Sequence, residues 1–520
     1  MAAKARSASL LVGAGILLSR IAGLVRQRVF AHYFGQSIAA DAFNAAFRIP
    51  NFLQNLFGEG VLSASFIPVY SRLLADGDEK EAGRVAGAIA AIILLVVSLI
   101  VLAGVLLTPW MVAFIAPGFD GERRELTIQL TRILFPGAGV LVLSAWCLGI
   151  LNSHRKFFLS YTAPVLWNVV MIGAMFWWGR FSTQNTLALS LAWASVVGSA
   201  AQFFIQIPVV FRVSAAISLR SSWKNSGVKT VTRNFIPVFL GRGVVQLSAF
   251  IDTIIVSFLP QGMPAALGYA QVLYTLPVSL FGMSVSAAEL PEMSSARGTS
   301  AEIFASLRQR LNNGLGRIAF FIVPSAMAFL ALGDVLIRAL FQTGKFTASD
   351  ANYVWAILAG STVGLLAATL GRLYASTYYA LQDTRTPLKF ALARVLLGTA
   401  LGYLAAVLLP RWMGWSAGWG GAGLTAASGI AAWVEFFLLR RKLNQRIGVT
   451  GLPANHIAKL WLAAGVAAAL AWLTKTAIPA SWHPIFRAAA VVPVYGLAYF
   501  AATTIFRIEE AQALFRRIRR

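Results

Sequence analysis

Long runs of apolar residues, separated by short polar segments, dominate the chain. Several of these runs contain no charged residue, among them 85–119, 157–179, 181–211, 253–288 and 412–434. A helix that crosses a bilayer needs about 20 mostly apolar residues. Each run is longer than that, so the pattern predicts helices that span a membrane.

The Pro, Gly and charged residues between the apolar runs divide the chain into about 14 predicted helices. They lie near 8–33, 40–70, 83–112, 125–151, 157–179, 185–211, 232–259, 264–292, 310–337, 351–380, 388–410, 416–440, 456–476 and 485–506. The expected fold class is therefore an all-α polytopic membrane protein. The first helix follows a basic N-terminus and is predicted to be a membrane helix rather than a cleaved signal peptide.

The composition indicates that lipid, rather than water, surrounds most of the exposed side chains. Only 12% of the 520 residues are charged and 58% are apolar, whereas soluble domains contain about 25% charged residues. Cys147 is the one cysteine, which excludes a disulfide framework and a thiolate metal cluster.

The positive charges indicate the orientation of the chain. With the N-terminus inside, the inner loops hold about 28 Lys and Arg residues and the outer loops about 8, as the positive-inside rule requires. Both termini are therefore predicted to be cytoplasmic. The net charge of +25 is spread over short loops, which argues against nucleic-acid binding.

Residues 507–520 are predicted to form an amphipathic helix on the membrane surface, with a solvated tail as the alternative.

Weak internal similarity indicates two related halves. LSRIAGLVRQRVF (18–30) parallels LGRGVVQLSAFID (240–252), with Arg20 opposite Arg242, and LNSHRKF (151–157) parallels LQDTRTP (381–387). Chance similarity between apolar helices is the alternative. The predicted division has an N-lobe of helices 1–6, a cytoplasmic linker, a C-lobe of helices 7–12, and helices 13–14 with a basic tail, at 1–212, 213–231, 232–442 and 443–520.

Charged residues inside predicted helices are the main functional signal, because each one is costly in a membrane. Arg20, Arg26, Arg48 and Arg242 come from corresponding helices of the two halves. Clustered guanidiniums are suited to phosphate, which they bind in bidentate fashion. The predicted substrate is an anionic amphipathic molecule that bears a pyrophosphate. For any single arginine, snorkelling or a structural ion pair is the alternative interpretation.

Other charges have simpler expected roles. Asp41 could neutralise an arginine of helix 1, while Arg394 and Glu435 lie near the ends of predicted helices and are expected to be structural.

Three segments resemble the MurJ (MviN) lipid II flippases of the multidrug/oligosaccharidyl-lipid/polysaccharide exporter superfamily. They are SRIAGLVRQRVFAHYFGQSIAADAFNAAFRIPNFLQNLFGEGVLSASFIPVY (19–70), LFQTGKFTASD (340–350) and YALQDTRTPLK (379–389). The resemblance implies 14 helices in two pseudo-symmetric six-helix lobes, with two C-terminal helices and a cationic cavity. It also implies alternating-access transport across the bacterial cytoplasmic (inner) membrane. The implied substrate is lipid II, the undecaprenyl-pyrophosphate-linked disaccharide-pentapeptide of peptidoglycan synthesis.

The resemblance assigns substrate-binding roles to individual positions. Arg20 and Arg26 match the two functional arginines of helix 1, Asp41 matches an aspartate of helix 2, and Arg48 and Arg372 match basic positions of helices 2 and 10.

At other positions the chain departs from the family. Gln54, Val272 and Thr275 replace charged residues, while Arg242 stands where well-studied members are uncharged. These departures leave open the details of headgroup binding and the substrate itself.

No cofactor is expected, but coupling to sodium or to the membrane potential is left open. Some members of the family bind sodium between helices 7 and 11, where Asp252 and Asp383 could supply carboxylates; a loop cap is the alternative for Asp383. Cell-wall synthesis proteins and membrane lipids are the other expected partners.

Two further interpretations remain as alternatives. The first is an exporter of another lipid-linked saccharide or of drugs, although a drug exporter should carry more acids than arginines in its cavity. The second is a membrane enzyme acting on polyprenyl phosphates, which would need clustered acids for Mg²⁺. Only 19 acidic residues are present, and the dense run DGDEKE (76–81) is a predicted loop. The sequence therefore favours a transporter over an enzyme.

Overall fold

The structure is a computed structural model of the chain. It describes residues 2–57, 62, 65–214, 217, 226–295 and 298–518, and the side chains among them except those of 2–13, 226, 234, 236–249 and 514–518. Within these residues, regular structure is helical apart from one bridge between Thr343 and Phe346. The described part of the chain is therefore all-α, as predicted.

The chain separates into two compact units, residues 1–265 and 266–520. The helices up to the end of the first unit are α1 (Ala2–Phe34), α2 (Ile38–Asn55), α3 (Ile67–Ala75), α4 (Glu79–Ile115), α5 (Gly121–Ser153), α6 (Phe157–Trp178), α7 (Gln184–Val213) and α8 (Ser226–Ser257). The predicted lobes cover 1–212 and 232–442, so their bounds differ from those of the two units. The lobes describe a functional division, and they remain a prediction.

Helix α9 (Met263–Pro277) begins at the end of the first unit and continues into the second. A π-helical segment (Val278–Met283) joins it to α10 (Ser284–Ser294). The remaining helices are α11 (Ser300–Phe341), α12 (Ala348–Ala380), α13 (Arg385–Tyr403), α14 (Leu409–Met413), α15 (Gly420–Ile447), α16 (Ala454–Ala477), α17 (Pro484–Ile505) and α18 (Glu509–Ile518). A second π-helical segment (Leu404–Leu408) joins α13 to α14, and a short 3₁₀ turn (Ala417–Trp419) precedes α15.

Eleven helical stretches among the described residues are long and apolar enough to cross a membrane. Three further stretches, α1, α2 with α3, and α8, lie where predicted helices 1, 2 and 7 are expected, and each carries charged residues. The described helices are therefore consistent with the predicted 14. The C-terminal segment is helical, as expected.

Part of predicted helix 2, over 40–70, lies outside the described residues. The structure describes α2 up to Asn55 and α3 from Ile67, with helical backbone at 56–57, 62 and 65 between them. The N–H of Phe66 donates to the carbonyl of Leu62 at 2.9 Å, which is the i to i−4 bond of an α-helix. The described residues of this range are therefore helical, and its charged residues Asp41 and Arg48 lie on α2.

In the first unit, α5 is the central helix and packs against α2, α4 and α7, while α1 packs against α6. Buried polar groups connect these helices. The indole of Trp146 on α5 donates to the carbonyl of Ala86 on α4 at 3.2 Å. The amides of Gln202 and Gln206 on α7 donate to Ser144 of α5 at 3.1 and 2.6 Å. Such pairs satisfy polar groups that lipid cannot hydrate.

In the second unit, α12 and α15 approach each other closely. A Cβ added to Gly364 would collide with the backbone of Gly429, and the reverse holds for Gly429. The Thr425 hydroxyl and the Trp433 indole of α15 donate to carbonyls of α12 at 2.9 and 2.7 Å. Small residues at the crossing allow this backbone contact, as is common between membrane helices.

Helix α11 packs against the last two membrane helices, α16 and α17. Pro324 lies inside α11, so the carbonyl of Phe320 has no N–H four residues later. The hydroxyl of Tyr499 on α17 donates to that carbonyl at 2.7 Å, and Tyr495 donates to the carbonyl of Pro324 at 2.7 Å. The tyrosines of α17 thus pair with the backbone around the proline.

Candidate functional site

Two of the predicted arginines lie on α1. Arg20 and Arg26 are six residues apart, about 9 Å along the helix axis, and Arg20 is exposed while Arg26 is half-buried. The guanidinium carbon of Arg26 lies 4.8 Å from the ring centroid of Trp167 on α6. This cation–π contact holds the Arg26 guanidinium against one face of the indole.

Trp167 is itself fixed by its neighbours. Its indole N–H donates to the backbone carbonyl of Ser195 on α7 at 3.1 Å. The ring of Phe47 on α2 lies 5.8 Å away between centroids. The Nε of Arg26 is buried and makes no hydrogen bond to the described residues. The result is a positioned guanidinium with unused hydrogen-bonding capacity.

Arg48 lies on α2 and interacts with α8. Its Nη1 donates to the hydroxyl of Thr253 at 2.5 Å, and the carboxylate of Asp252 is close enough to act on it electrostatically. Asp252, for which the sequence predicts a cation-binding role, therefore stands beside an arginine. Its sodium-binding role stays a prediction.

Asp41 has a different partner from the one the sequence suggests. Its side chain is 0% exposed. It accepts hydrogen bonds from the backbone N–H groups of Gly262 and Ala265 at 2.7 and 3.0 Å, and pairs with Arg123 at 3.0 Å. The idea that Asp41 neutralises an arginine of helix 1 is wrong for this structure, because Arg123 comes from the start of α5. The guanidinium of Arg123 also lies 3.7 Å above the ring of Phe119.

Both oxygens of Asp41 are engaged by the protein itself. Gly262 has a φ of +89°, a conformation that glycine adopts readily, and this turn presents its N–H to the carboxylate. The geometry gives Asp41 a role in holding the start of α9 and α5 to α2. A direct contact of Asp41 with substrate remains a prediction.

Arg242 lies on α8, ten residues before Asp252. Its side chain is outside the described part of the chain. Its predicted role in substrate binding is therefore untested.

In the second unit, Arg372 lies on α12 near three other polar side chains. Arg394 of α13 pairs with Glu435 of α15 at 3.2 Å. Both arginines act electrostatically on the phenol of Tyr274 on α9. The sequence predicts structural roles for Arg394 and Glu435 near the ends of helices. In the structure the two residues form an ion pair close enough to Arg372, a predicted site residue, for Arg372 to act electrostatically on Glu435.

Asp383 caps a helix. Its carboxylate accepts hydrogen bonds from the backbone N–H and the hydroxyl of Thr386 at 3.0 and 2.8 Å, with Arg446 at 3.4 Å. The hydrogen bond from the Thr386 N–H is the main reason that the pKa of Asp383 lies below its usual value. The loop-cap interpretation agrees with these contacts, while sodium binding by Asp383 stays a prediction. Among the described residues, no group of three or more His, Cys, Asp or Glu side chains is arranged to hold a metal ion.

Three partners in the first unit cannot be recognised from the sequence. Trp167 resembles many other aromatic residues in apolar helices, Thr253 is ordinary in a membrane helix, and Arg123 lies in the charged run GERRE (121–125). A buried acid such as Asp41 implies some cationic partner, but only packing identifies it as Arg123.

The long apolar helices and the arginines within them define the class of the protein as a multi-pass helical membrane transporter. The family model "Lipid II flippase MurJ" matches residues 30–492. The chain belongs to this family, and it is therefore a transporter rather than an enzyme.

Individual relatives agree with this assignment. The probable lipid II flippase MurJ of Rhizobium tropici is 32% identical over 442 residues, which cover 84% of this chain and 80% of the relative. A solved structure of lipid II flippase MurJ in an inward closed conformation superposes with a TM-score of 0.78 at 24% identity, covering 96% of this chain and 98% of that one. An inward-facing multidrug resistance transporter of the MATE family superposes with a TM-score of 0.63 at 16% identity, covering 81% and 95%. Both superpositions concern the fold alone.

Proposed function

We propose that this chain carries lipid II from the inner to the outer leaflet of a bacterial cytoplasmic membrane. The observation that supports it most directly is the guanidinium of Arg26, held on the face of Trp167 with its buried Nε unpaired among the described residues. An oriented guanidinium is suited to a phosphate oxygen, which accepts charge-assisted hydrogen bonds.

In this proposal Arg20, Arg26, Arg48 and Arg242 bind the pyrophosphate, and Arg372 provides a further positive charge. The undecaprenyl tail remains in lipid throughout, because moving it through water would expose a large apolar surface. The lobes 1–212 and 232–442 open to each side of the membrane in turn. An inside-negative potential favours return of the empty, positively charged site to the inner side.

Both termini are cytoplasmic in the proposal, as the loop charges predict. The transported molecule is the undecaprenyl-pyrophosphate-linked disaccharide-pentapeptide, delivered to cell-wall synthesis proteins on the outer side. Sodium coupling through Asp252 and Asp383 remains a prediction that the hydrogen bonds of Asp383 do not favour.

The test uses cells depleted of their own flippase and a measurement of lipid II exposed on the outer leaflet. Arg26→Ala should reduce flipping by roughly tenfold or more, because a charge-assisted hydrogen bond contributes about 1.5–3 kcal/mol. Arg26→Lys should recover only part of the activity, because an ammonium group keeps the charge but lacks the planar fork.

The matched control is Arg124→Ala, which removes an exposed arginine near the start of α5 and should leave flipping unchanged. Protein levels in the membrane are measured for each variant. Full activity of both Arg20→Ala and Arg26→Ala would contradict the proposed site.

A different lipid-linked saccharide is the second candidate. The uncharged residues Gln54, Val272 and Thr275, at positions where the resemblance predicts charge, favour it. Rescue of flippase-depleted cells would exclude this candidate as the main function, whereas failure of well-expressed wild-type protein to rescue them would favour it.

A further inference from the structure

An ion pair inside the second unit connects two membrane helices. Nη1 of Arg394 on α13 lies 3.2 Å from Oε2 of Glu435 on α15. Arg394 is nine residues inside α13, and Glu435 is twelve residues before the end of α15, or about 13 and 18 Å along the helix axes. The stretches that contain them are both apolar enough to span a membrane. The pair therefore joins two helices within their helical segments and not through a loop.

The charges of this cluster do not balance. Arg372 and Arg394 both act electrostatically on Glu435 and on Tyr274, so α9, α12, α13 and α15 each contribute one group. Among the described residues, Glu435 is the one carboxylate paired with either arginine. A purely structural ion pair would need one arginine, and an additional charge in an apolar helix is unfavourable.

The cations are more accessible than the anion. The side chain of Arg394 is 39% exposed and that of Glu435 15%, while Arg372 is exposed. An incoming anion can therefore reach both guanidiniums. Glu435, the more buried partner, pairs with Nη1 of Arg394 and occupies part of its hydrogen-bonding fork.

We propose that Arg372, Arg394 and Tyr274 form a second anion-binding site, and that Glu435 is its internal, exchangeable anion. A phosphate oxygen of the transported lipid replaces the Glu435 carboxylate on Arg394 when substrate binds, and Glu435 returns when substrate leaves. The exchange keeps Arg394 paired in the empty protein and limits the affinity for the substrate, which must be released. This inference rests on the proposed function and adds Arg394, Tyr274 and Glu435 to its site.

The exchange predicts that removing the internal anion strengthens binding. Glu435→Gln keeps the shape of the side chain but no longer competes as a charge, so binding of farnesyl pyrophosphate should tighten by roughly three- to tenfold. Arg394→Ala should weaken it by roughly tenfold or more. Binding is measured by isothermal titration calorimetry on the full-length protein in nanodiscs of zwitterionic lipid.

Glu289→Gln is the matched control. Glu289 pairs with Arg310 and Arg317 at 3.7 and 3.4 Å in the same unit. Its neutralisation removes the carboxylate from Arg317 and leaves Arg310 paired with Glu292 at 2.9 Å, and it changes the net charge equally. Unchanged affinity in this variant, with tighter binding in Glu435→Gln, supports a local exchange. An equal gain in both variants would indicate general electrostatics and overturn the proposal.

Inorganic pyrophosphate distinguishes the source of the anion. Tighter binding of farnesyl pyrophosphate alone indicates that the site recognises a lipid-linked anion, and tighter binding of both ligands indicates that it recognises the phosphate itself; either result supports the exchange. Wild-type binding with no gain in Glu435→Gln overturns the exchange but leaves the flippase proposal standing. Absence of wild-type binding to farnesyl pyrophosphate would count against both. Because a misfolded variant cannot bind more tightly, the Glu435→Gln result is independent of any folding defect in Arg394→Ala.

Discussion

At the scale of single residues, Asp41 illustrates how a charge in a membrane helix acquires a partner from elsewhere in the chain. Its two oxygens together receive two backbone N–H groups and one guanidinium. Burying a carboxylate is tolerated only when its charge and its lone pairs are satisfied. Asp41 therefore stabilises the fold, and it lies on α2, the helix that also carries Arg48.

Asp41→Asn should destabilise the protein by about 3 kcal/mol or more. The amide NH₂ would face the N–H of Gly262 or Ala265, and Arg123 would lose its counter-charge. Thermal unfolding of purified protein in detergent, followed by tryptophan fluorescence, measures the change. The double variant Asp41→Asn/Arg123→Gln should lose less than the sum of the two single variants. Strict additivity would mean that the pair is not coupled.

The candidate site could be predicted only in part, for reasons that are specific to each residue. Arg20, Arg26 and Arg48 stand out because charges are rare in apolar helices. Trp167 does not stand out, since aromatic residues are ordinary there. The pairing of Arg394 with Glu435 depends on how α13 and α15 face each other, which no single helix encodes.

At the scale of elements, the proline of α11 and the tyrosines of α17 are complementary. Pro324 removes the donor for the Phe320 carbonyl, and Tyr499 supplies another from a neighbouring helix. A carbonyl left unpaired in a lipid-facing or protein-buried environment is unfavourable. The contact thus joins the last membrane helix to α11 at the point where α11 is locally weakest.

Tyr499→Phe should therefore lower the unfolding free energy by about 1 kcal/mol. In a Pro324→Ala background the same substitution should have a smaller effect, because alanine would restore the missing helical N–H. Tyr495→Phe is the comparison, since the Pro324 carbonyl it contacts also lies within α11. Equal effects of Tyr499→Phe in both backgrounds would show that the hydroxyl does not compensate for the proline. Urea or thermal unfolding in detergent distinguishes the two results.

At the scale of the whole molecule, the alternation of apolar helices and basic loops is visible in the sequence itself. Hydrophobic length is a local property, so most helix positions can be predicted within a few residues. The extension of α11 to 42 residues cannot be predicted in this way. Its first turns lie where polar and apolar residues mix, and there packing decides where a helix begins and ends.

The predicted orientation can be tested with introduced cysteines, because the native Cys147 is buried. Ser481→Cys lies between α16 and α17 on the predicted outer side, and Gln445→Cys lies near the inner end of α15; both positions are exposed. In cells with a permeabilised outer membrane, a membrane-impermeant maleimide should label the first variant and not the second. Labelling of Gln445→Cys alone would invert the topology.

The backbone contact between Gly364 and Gly429 has a mechanical consequence for the second unit. Two helices that touch at their main chains fit together closely, so we expect α12 and α15 to move together. Arg372 on α12 and Glu435 on α15 should then keep their spacing during transport. A rearrangement that brings Arg394 toward or away from Glu435 would come from α13, whose continuation into α14 runs through the π-helical segment Leu404–Leu408.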